Sequence, residues 1–395
     1  MPKDLPRPSF NIGIEEEYQT IDPSSRDLRS HISAEIVEKG RMMLAEQVKP
    51  EMHQSVVEIG TGVCETIQQA REDLVSIRRK MITLARENGL RICGGGTHPF
   101  ANWRKQEIYP DERYRTIIEE MKEVARANLI FGLHIHIGVE DREAAIQIMN
   151  GARYFLPHIL ALSASSPFWE GFDSGLRSYR CKVFDKFPRT NIPDLYASWS
   201  EYENYVNLLI RTNCIDNAKK IWWDIRPHPY FPTLEFRVCD MQTRIDDTIA
   251  IAALCQAVIA KLFDLHAQNL TFRHYSRALI MENKWRAARY GIDGKLIDFG
   301  KQKEVPVRDL IREILDFVSN AAELLGSTRE LAHIENILKE GTAADRALQV
   351  FAGSGGDLTK VVDRMIEETE AGIFEVARAA GQSVSGKSGD WGEAR

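Results

Sequence analysis

The segment Gly132–Val139, with the sequence GLHIHIGV, alternates between aliphatic residues and glycine or histidine. Because side chains alternate across a β-strand, this pattern predicts a strand with one apolar face and a second face that carries His134 and His136. The apolar face needs a hydrophobic layer to cover it. A chain that contains such a strand is therefore expected to fold as a sheet packed on helices.

Three further segments alternate in the same way, and their polar faces carry charged residues. They lie near the N-terminus, around residues 56–60 and in residues 233–239, and their polar positions are Glu15, Glu17, Glu58, Glu235 and Arg237. For an isolated strand, contact with solvent is the simpler interpretation of a polar face. Solvent-facing strands favour Lys, Thr, Ser and Gln, however, whereas these four faces carry mainly Glu, His and Arg. Their composition indicates a shared site.

Several carboxylates on one surface repel one another unless a cation lies between them. Carboxylates outnumber histidines in this set and no cysteine belongs to it, so Mg²⁺ or Mn²⁺ is favoured over Zn²⁺. Mg²⁺ commonly completes its coordination with substrate phosphates, and Arg237 on the same face suits a phosphate. The sequence therefore predicts a site for phosphoryl transfer.

The remaining pattern predicts an α+β fold in one domain over residues 10–380. Strands are expected at 10–21, 55–60, 90–93, 132–139 and 233–239, and helices at 66–88, 142–162, 201–212, 246–268 and through most of 307–380. Residues 1–9 are expected to form a flexible N-terminus. Residues 381–395, rich in Gly and Ser, are expected to be a disordered tail.

Composition narrows the class of protein. The 395 residues carry a net charge of −6, so a nucleic-acid partner is not expected. A membrane-spanning helix and a signal peptide are not expected either. The six cysteines are widely spaced without a C-x-x-C motif, which is typical of reduced thiols and predicts a cytoplasmic location.

Several ordered motifs resemble one family over nearly the whole chain. They are GIEEEY at 13–18, GTHPF at 96–100, GLHIH at 132–136, PTLEFRVCD at 232–240, ENKWRAARYG at 282–291 and GTAADR at 341–346. Together they resemble the type 2 glutamate–cysteine ligase family, the YbdK-like carboxylate–amine ligases. The resemblance implies a glutamine-synthetase-like catalytic fold, in which a curved antiparallel sheet forms a funnel and acidic residues hold Mg²⁺ ions that bridge the phosphates of ATP.

Site residues follow where the sequence matches the family. The implied metal ligands are Glu15, Glu17, Glu51, Glu58, His134 and Glu235. Glu235 and Arg237 are implied catalytic residues, and Arg237 would bind phosphate. Local sequence adds Arg180 as a catalytic candidate, and Arg226 and His136 as candidates for contact with the nucleotide.

The implied reaction has two steps. A carboxylate, for which an amino acid such as glutamate is expected, is phosphorylated by ATP, and an amine such as cysteine then displaces the phosphate. A homodimer is compatible with the sequence. Two other functions remain open: a metal-dependent hydrolase of the amidohydrolase kind, suggested by the His-x-His strand, and a non-catalytic homologue that binds nucleotide or amino acid.

Four other features allow two interpretations each. The basic segment 177–189 is either a solvated loop or a lid over an anionic substrate. Glycines 94–96 are a turn or a phosphate loop, with the turn favoured because no Gly-Lys-Ser/Thr follows. His98 either lines the site or shapes that turn. Arg286 and Arg289 either bind phosphate or pair with helix carboxylates.

Overall fold

β-strands of two to ten residues form the framework of the protein. The computed structural model describes residues 6–30, 33–44 and 47–374. Within that range the strands are β1 (Ile12–Ile21), β2 (Val48–Pro50), β3 (Val56–Gly60), β4 (Arg91–Cys93), β5 (Gly132–Gly138), β6 (Phe168–Trp169), β7 (Phe172–Asp173), β8 (Thr190–Asn191), β9 (Trp222–Trp223), β10 (Ile225–Pro227), β11 (Thr233–Asp240), β12 (Lys295–Asp298) and β13 (Lys303–Pro306).

Seven of these strands form one antiparallel sheet in the order β10-β11-β5-β1-β3-β2, with β4 also paired to β1. All five predicted strands are present as β1, β3, β4, β5 and β11, within two residues of the expected ends. The sequence did not predict β2 and β10, each of which is three residues long and too short to show a pattern. The α+β class and the antiparallel sheet backed by helices are confirmed.

Helices surround this sheet and occupy most of the C-terminal third. They are α1 (Ser33–Leu44), α2 (Ile67–Glu87), α3 (Glu112–Met121), α4 (Glu123–Arg126), α5 (Arg142–Ala152), α6 (Leu156–Ser163), α7 (Arg180–Phe184), α8 (Trp199–Arg211), α9 (Ile245–Ala267), α10 (Arg277–Tyr290), α11 (Val307–Leu325), α12 (Thr328–Ala332), α13 (Ile334–Glu340), α14 (Ala343–Gly353) and α15 (Leu358–Glu370).

One predicted helix is wrong. Residues 142–162 form two helices, α5 and α6, separated by the 3-10 turn Arg153–Phe155. Pro157 lies in the first turn of α6. Since proline has no backbone N–H to donate to the preceding turn, a continuous helix through this point would lose a hydrogen bond and its ring would clash with that turn. Residues 375–380 of the predicted C-terminal helical region and the predicted tail lie outside the described residues.

Helix α9 is the central helix of the core. By length and composition it could cross a membrane, with a mean hydropathy of 1.8 in its most apolar 18-residue window, a property that the sequence analysis did not single out. Of that window, 83% is buried inside the protein. The apolar character of α9 is thus accounted for by packing against the sheet and its neighbouring helices.

A buried ion pair joins the sheet to two of these helices. Glu16 and Arg78, on β1 and α2, are both fully buried and are joined by two hydrogen bonds. Glu16 also accepts hydrogen bonds from Tyr18 and from Thr248 of α9 (2.8 Å to Thr248). Each oxygen of the carboxylate therefore has a donor, which is the condition under which a charge is tolerated in a core.

We expect the substitution Arg78→Met to lower the free energy of unfolding by about 3–5 kcal/mol, because it leaves the Glu16 carboxylate buried without a counter-charge. Urea unfolding followed by circular dichroism would measure the change. As the control, Arg312→Met removes one partner of the exposed ion pair with Glu335 and should leave the midpoint close to that of the wild type. Equal effects of the two substitutions would contradict this account of the core.

Candidate active site

A cavity of about 520 Å³ lies over the polar face of the large sheet. The structure brings all ten residues that the sequence nominated into its lining. They come from β1, β3, β5, β10 and β11, from α7 and from the loop after β2, and are Glu15, Glu17, Glu51, Glu58, His134, His136, Arg180, Arg226, Glu235 and Arg237.

Strand register explains why residues distant in sequence meet here. Glu17 on β1 lies directly opposite Glu58 on β3. Glu15 lies opposite His134 on β5. On the next strand, Glu235 lies opposite His136. Side chains at paired positions point to the same face of a sheet, so the register places these three pairs in successive rows on one face.

Three carboxylates form the acidic centre of the cavity. Glu17, Glu51 and Glu58 each offer an oxygen, and these oxygens lie within 4.8 Å of one another. Burial, opposed by Arg180, raises the pKa of Glu17 to about 7. Burial together with the charges of Glu15 and Glu51 raises the pKa of Glu58 to about 8. This cluster of hard oxygen donors fits Mg²⁺ or Mn²⁺, which would relieve the repulsion that raises these pKa values.

A second group of ligand candidates lies beside this centre. Nδ1 of His134 and Nε2 of His136 lie 3.5 and 3.6 Å from Oε2 of Glu15. Although burial alone would raise it, these two imidazoles hold the pKa of Glu15 well below its ordinary value. Burial lowers the pKa of His134 to about 4, which keeps the ring neutral and able to offer a lone pair to a metal.

Lys49, which the sequence analysis missed, lies between the two groups. Its Nζ is 3.1 Å from Oε1 of Glu15 and 3.1 Å from Oε1 of Glu58. Lys49 is opposite Glu58 in the pairing of β2 with β3. Only the pairing of β3 with a further strand could have identified Lys49 from the sequence. That strand, β2, is too short to be predicted.

Glu235 is held by two arginines. Arg226 donates through Nε to Oε2 of Glu235 (2.8 Å) and through Nη1 to the carbonyl oxygens of Lys219 (2.9 Å) and Ile221 (2.5 Å). Arg237 donates through Nη1 to Oε1 of the same carboxylate. Burial would raise the pKa of Glu235, but the two guanidinium groups hold it well below its ordinary value.

The two arginines differ in what they leave free. Most donors of Arg226 are bound to the protein, so its main contacts orient Glu235 and the segment before β9. The Nε atom of Arg237 is buried and has no hydrogen-bond partner among the described residues. A buried guanidinium donor that faces a cavity without a partner is suited to an anionic ligand.

The basic segment 177–189 is not a solvated loop at its centre. Arg180 begins α7 and is 3% exposed. Phe184 and Phe187 from the same segment line the cavity. Arg177, by contrast, is bound to Asp345 (2.7 Å) away from the cavity. The segment thus forms one wall of the cavity, and Arg180 is its basic residue that reaches the site.

Four features weighed from sequence do not line the cavity in the described part of the chain. Both ring nitrogens of His98 bind backbone atoms, with Nε2 2.9 Å from the carbonyl oxygen of Arg26. Gly94 and Gly96 pack against residues 240–243 and Gly95 packs against Met365, so this segment turns inside the protein and does not reach the cavity. Arg286 pairs with Glu282 and Glu304, and Arg289 donates to a backbone carbonyl. The plainer interpretation is correct for His98 and the glycines. Arg286 pairs with one carboxylate of its own helix and one of β13, and Arg289 binds neither a carboxylate nor the site among the described residues.

Comparison with known proteins shows which family the sequence matches. A sequence model of glutamate–cysteine ligase family 2 matches residues 11–364. A protein of Solibacter usitatus is 74% identical over 377 residues, which cover 95% of this chain and 98% of the relative. A protein of Sorangium cellulosum is 57% identical over 366 residues, covering 92% and 97%. Both relatives carry the name "Putative glutamate--cysteine ligase 2".

Solved structures share the fold at low sequence identity. A glutamate–cysteine ligase of Francisella tularensis, crystallised in complex with AMP, superposes with a TM-score of 0.66 at 14% identity and covers 97% of this chain and 94% of its own. A bifunctional glutathione synthetase of Pasteurella multocida superposes with a TM-score of 0.69 at 14% identity. The superposed region covers 92% of this chain and 53% of the synthetase. The predicted glutamine-synthetase-like fold is confirmed.

The raised pKa values predict a stability that depends on pH and on divalent cations. A carboxyl whose pKa is higher in the folded state contributes stability below its unfolded pKa, and this contribution is lost as pH rises through the folded pKa. With EDTA present, the wild-type protein should therefore lose stability between pH 5 and 8, where Glu17 and Glu58 ionise at about 7 and about 8. Added Mg²⁺ should restore it, more at pH 8 than at pH 6, because the ion binds the ionised carboxylates.

Thermal unfolding of wild type and Glu58→Gln would measure this effect. The variant removes one ionisable group from the cluster, so its loss of stability between pH 5 and 8 should be smaller and its response to Mg²⁺ weaker. Glu335→Gln, at an exposed ion pair, is the control and should behave as the wild type. A response to Mg²⁺ that is the same at both pH values and in both variants would contradict the assignment of the cluster.

Proposed function

The chain belongs to glutamate–cysteine ligase family 2, a family of ATP-dependent carbon–nitrogen ligases, and we propose that it joins a carboxylate to an amine through an acyl phosphate. The carboxylate substrate is proposed to be an amino acid such as glutamate, and the amine to be one such as cysteine. The products would be the amide, ADP and phosphate.

One observation carries this proposal: a single cavity contains an acidic cluster and buried guanidinium groups with unused donors. Glu17, Glu51 and Glu58 form the cluster. Arg180 and Arg237 line the same cavity, and the Nε atom of each is buried without a partner among the described residues. Phosphoryl transfer requires this combination, because charge on the phosphates must be neutralised from several directions.

The chemistry can be assigned to groups of this chain. Mg²⁺ held by the acidic cluster would neutralise charge on the phosphates of ATP. Arg237 donates to an oxygen of the phosphoryl group as an oxygen of the substrate carboxylate attacks the γ-phosphorus and the bond to ADP breaks. Glu235 keeps the Arg237 guanidinium in place. The cavity wall formed by Phe184 and Phe187 excludes water from the reactive acyl phosphate.

In the second step the nitrogen of the amine attacks the carbonyl carbon of the acyl phosphate, and the bond to phosphate breaks. The amine must lose a proton in this step. The departing phosphate can take up this proton, so the step balances while the acidic cluster, Glu58 included, remains free to hold the cation.

The two other functions make different demands on the site. A zinc hydrolase of the amidohydrolase kind usually needs additional histidines that are free to bind the metal. His158 and His266 lie on helices α6 and α9, and neither lines the cavity. His53 and His228 do line it, but Nε2 of His53 lies 2.9 Å from the carbonyl oxygen of Arg126 and Nδ1 of His228 accepts from the backbone N of Phe231 (3.0 Å). A non-catalytic binding homologue would have no need of the acidic cluster together with the two arginines. The ligase uses all of these groups.

We expect purified protein with ATP and Mg²⁺ to release phosphate only when both a carboxylate and an amine are supplied. The assay would pair glutamate and other carboxylates with cysteine and other amines. Glu58→Gln and Glu235→Gln should each lower the rate on the order of 100-fold, because Glu58 helps to hold the cation and Glu235 holds Arg237, the two positive groups that neutralise the transferring phosphoryl group. Glu335→Gln on the surface is the matched control and should keep the wild-type rate.

Two outcomes would overturn the proposal. Amide hydrolysis that depends on Zn²⁺ and proceeds without ATP would identify the hydrolase. Tight binding of Mg-ATP without turnover for any pair of substrates would identify the binding homologue.

A further inference from the structure

An irregularity in β11 places an additional acidic residue on the site face. Phe236 pairs with Ile135 of β5, whereas Cys239 pairs with Leu133, so three steps on β11 correspond to two steps on β5. The extra residue is a β-bulge, which reverses the alternation beyond it. Asp240 consequently pairs with Gly132. Gly132 belongs to the face of β5 that carries the site histidines, so Asp240 lies on the site face as well.

Asp240 is fully buried and its oxygens are occupied by neutral donors. Oδ2 accepts from the backbone N of Ser165 (3.0 Å) and from the hydroxyl of Ser166 (2.7 Å), and Oδ1 accepts from the hydroxyl of Ser178 (2.9 Å). Nη1 of Arg180 lies 3.9 Å from Oδ1, too far for a hydrogen bond. Asp240 thus compensates the charge of Arg180 without binding the guanidinium donors.

Arg180 is held at its backbone and at its guanidinium by two different partners. Its backbone N donates to the hydroxyl of Ser166 (3.0 Å), which in turn donates to Asp240. Its guanidinium reaches the backbone carbonyl oxygen of Arg237 (3.3 and 3.4 Å). Its Nε atom is buried and has no partner in the described part of the chain.

The absence of a side chain at residue 132 makes room for this guanidinium. A Cβ atom on Gly132 would collide with Nη2 of Arg180. On the other side of the acid, a Cβ atom on Gly96 would lie 2.8 Å from Cγ of Asp240. Two glycines in separate segments therefore leave the space that the arginine and the aspartate occupy.

We propose that Asp240 is a positioning residue that holds Arg180 in the cavity to bind an oxyanion of the reactants. Ser166 and Ser178 transmit this positioning, and Gly132 leaves the space for it. The inference deepens the proposed function and rests on it for the identity of the reactants. The oxyanion is supplied either by the phosphoryl group or by the substrate carboxylate.

The arrangement differs from an ion pair that only stabilises the fold. In the Arg346–Glu368 pair, remote from the cavity, the guanidinium donates to the carboxylate through two nitrogens (2.8 and 3.0 Å) and contacts Asp247 (3.1 Å). Arg180 makes no such hydrogen bond to a carboxylate among the described residues. It retains donors for a ligand at the cost of an incompletely paired buried charge.

The test is a titration of wild type, Asp240→Asn, Gly132→Ala and Arg180→Lys with two separate probes, inorganic phosphate and glutamate, each followed by thermal unfolding. We expect at least one probe to stabilise the wild type. The concentration that gives half of this stabilisation should rise at least tenfold in all three variants. The probe that is affected identifies the source of the oxyanion.

Glu368→Gln is the matched control, since it removes the charge of another buried carboxylate. It should lower the unfolding temperature without changing the half-stabilising concentration. Gly132→Ala keeps the charge of Asp240 and displaces the Arg180 guanidinium sterically, so it separates loss of position from loss of the buried charge.

The proposal is overturned if Asp240→Asn and Gly132→Ala bind both probes as the wild type does, or if neither probe stabilises the wild type. It is also overturned if Glu368→Gln weakens binding as much as they do. A wild type that binds a probe through Arg180 and Asp240, yet releases no phosphate from ATP with any pair of substrates, would refute the proposed ligase and leave the positioning role of Asp240 intact.

Discussion

The repulsion between Glu17 and Glu58, which face each other across β1 and β3, is the constraint on which the arrangement of the site depends. Like charges at paired positions destabilise a sheet, and burial increases the effect. Lys49, on the edge strand β2, offsets this repulsion by its ion pair with Glu58. The charges of Arg180 and Arg237 also offset it, because they lower the pKa of Glu17 against the effect of burial. The basic residues of the site therefore lie where they compensate the charge of the acidic cluster.

The opposite face of the same strand meets a different demand. Glu16, between two site residues on β1, points into the core, where Arg78 and Thr248 bind it. Neighbouring glutamates on one strand thus have different roles. Glu16 belongs to a stable buried ion pair, whereas Glu17 belongs to the acidic cluster. The first has every oxygen paired by protein donors. The second lacks enough protein donors, and this deficit is what makes it receptive to a cation.

Much of this organisation follows from the alternation of residues along strands. The faces of β1, β3, β5 and β11 were predictable because a period of two assigns each side chain to a side. Glu51 was nominated by family resemblance alone, because the short strand before it shows no period. Lys49 was missed for the same reason. The break between α5 and α6 was missed although Pro157 signals it, since the apolar pattern continues through the proline.

The arginines around Glu235 show what sequence patterns cannot distinguish. Arg226 and Arg237 flank Glu235 in space, yet one has its donors bound by the protein and the other retains a free one. The partners of Arg226 are backbone carbonyls of a loop, and no residue type announces them. Likewise Asp240 would be assigned to the core face by counting alternate residues from Glu235. Only the pairing of β11 with β5 reveals the change of side.

That change of side makes chain length in β11 as important as residue type. Removing Val238 would restore regular pairing with β5 and turn Asp240 away from the cavity, although every side chain of the site would still be encoded. Insertions and deletions in this short stretch are therefore expected to be excluded during evolution, even where substitutions are accepted. The spacing between Glu235 and Asp240 is itself an inherited feature of the site.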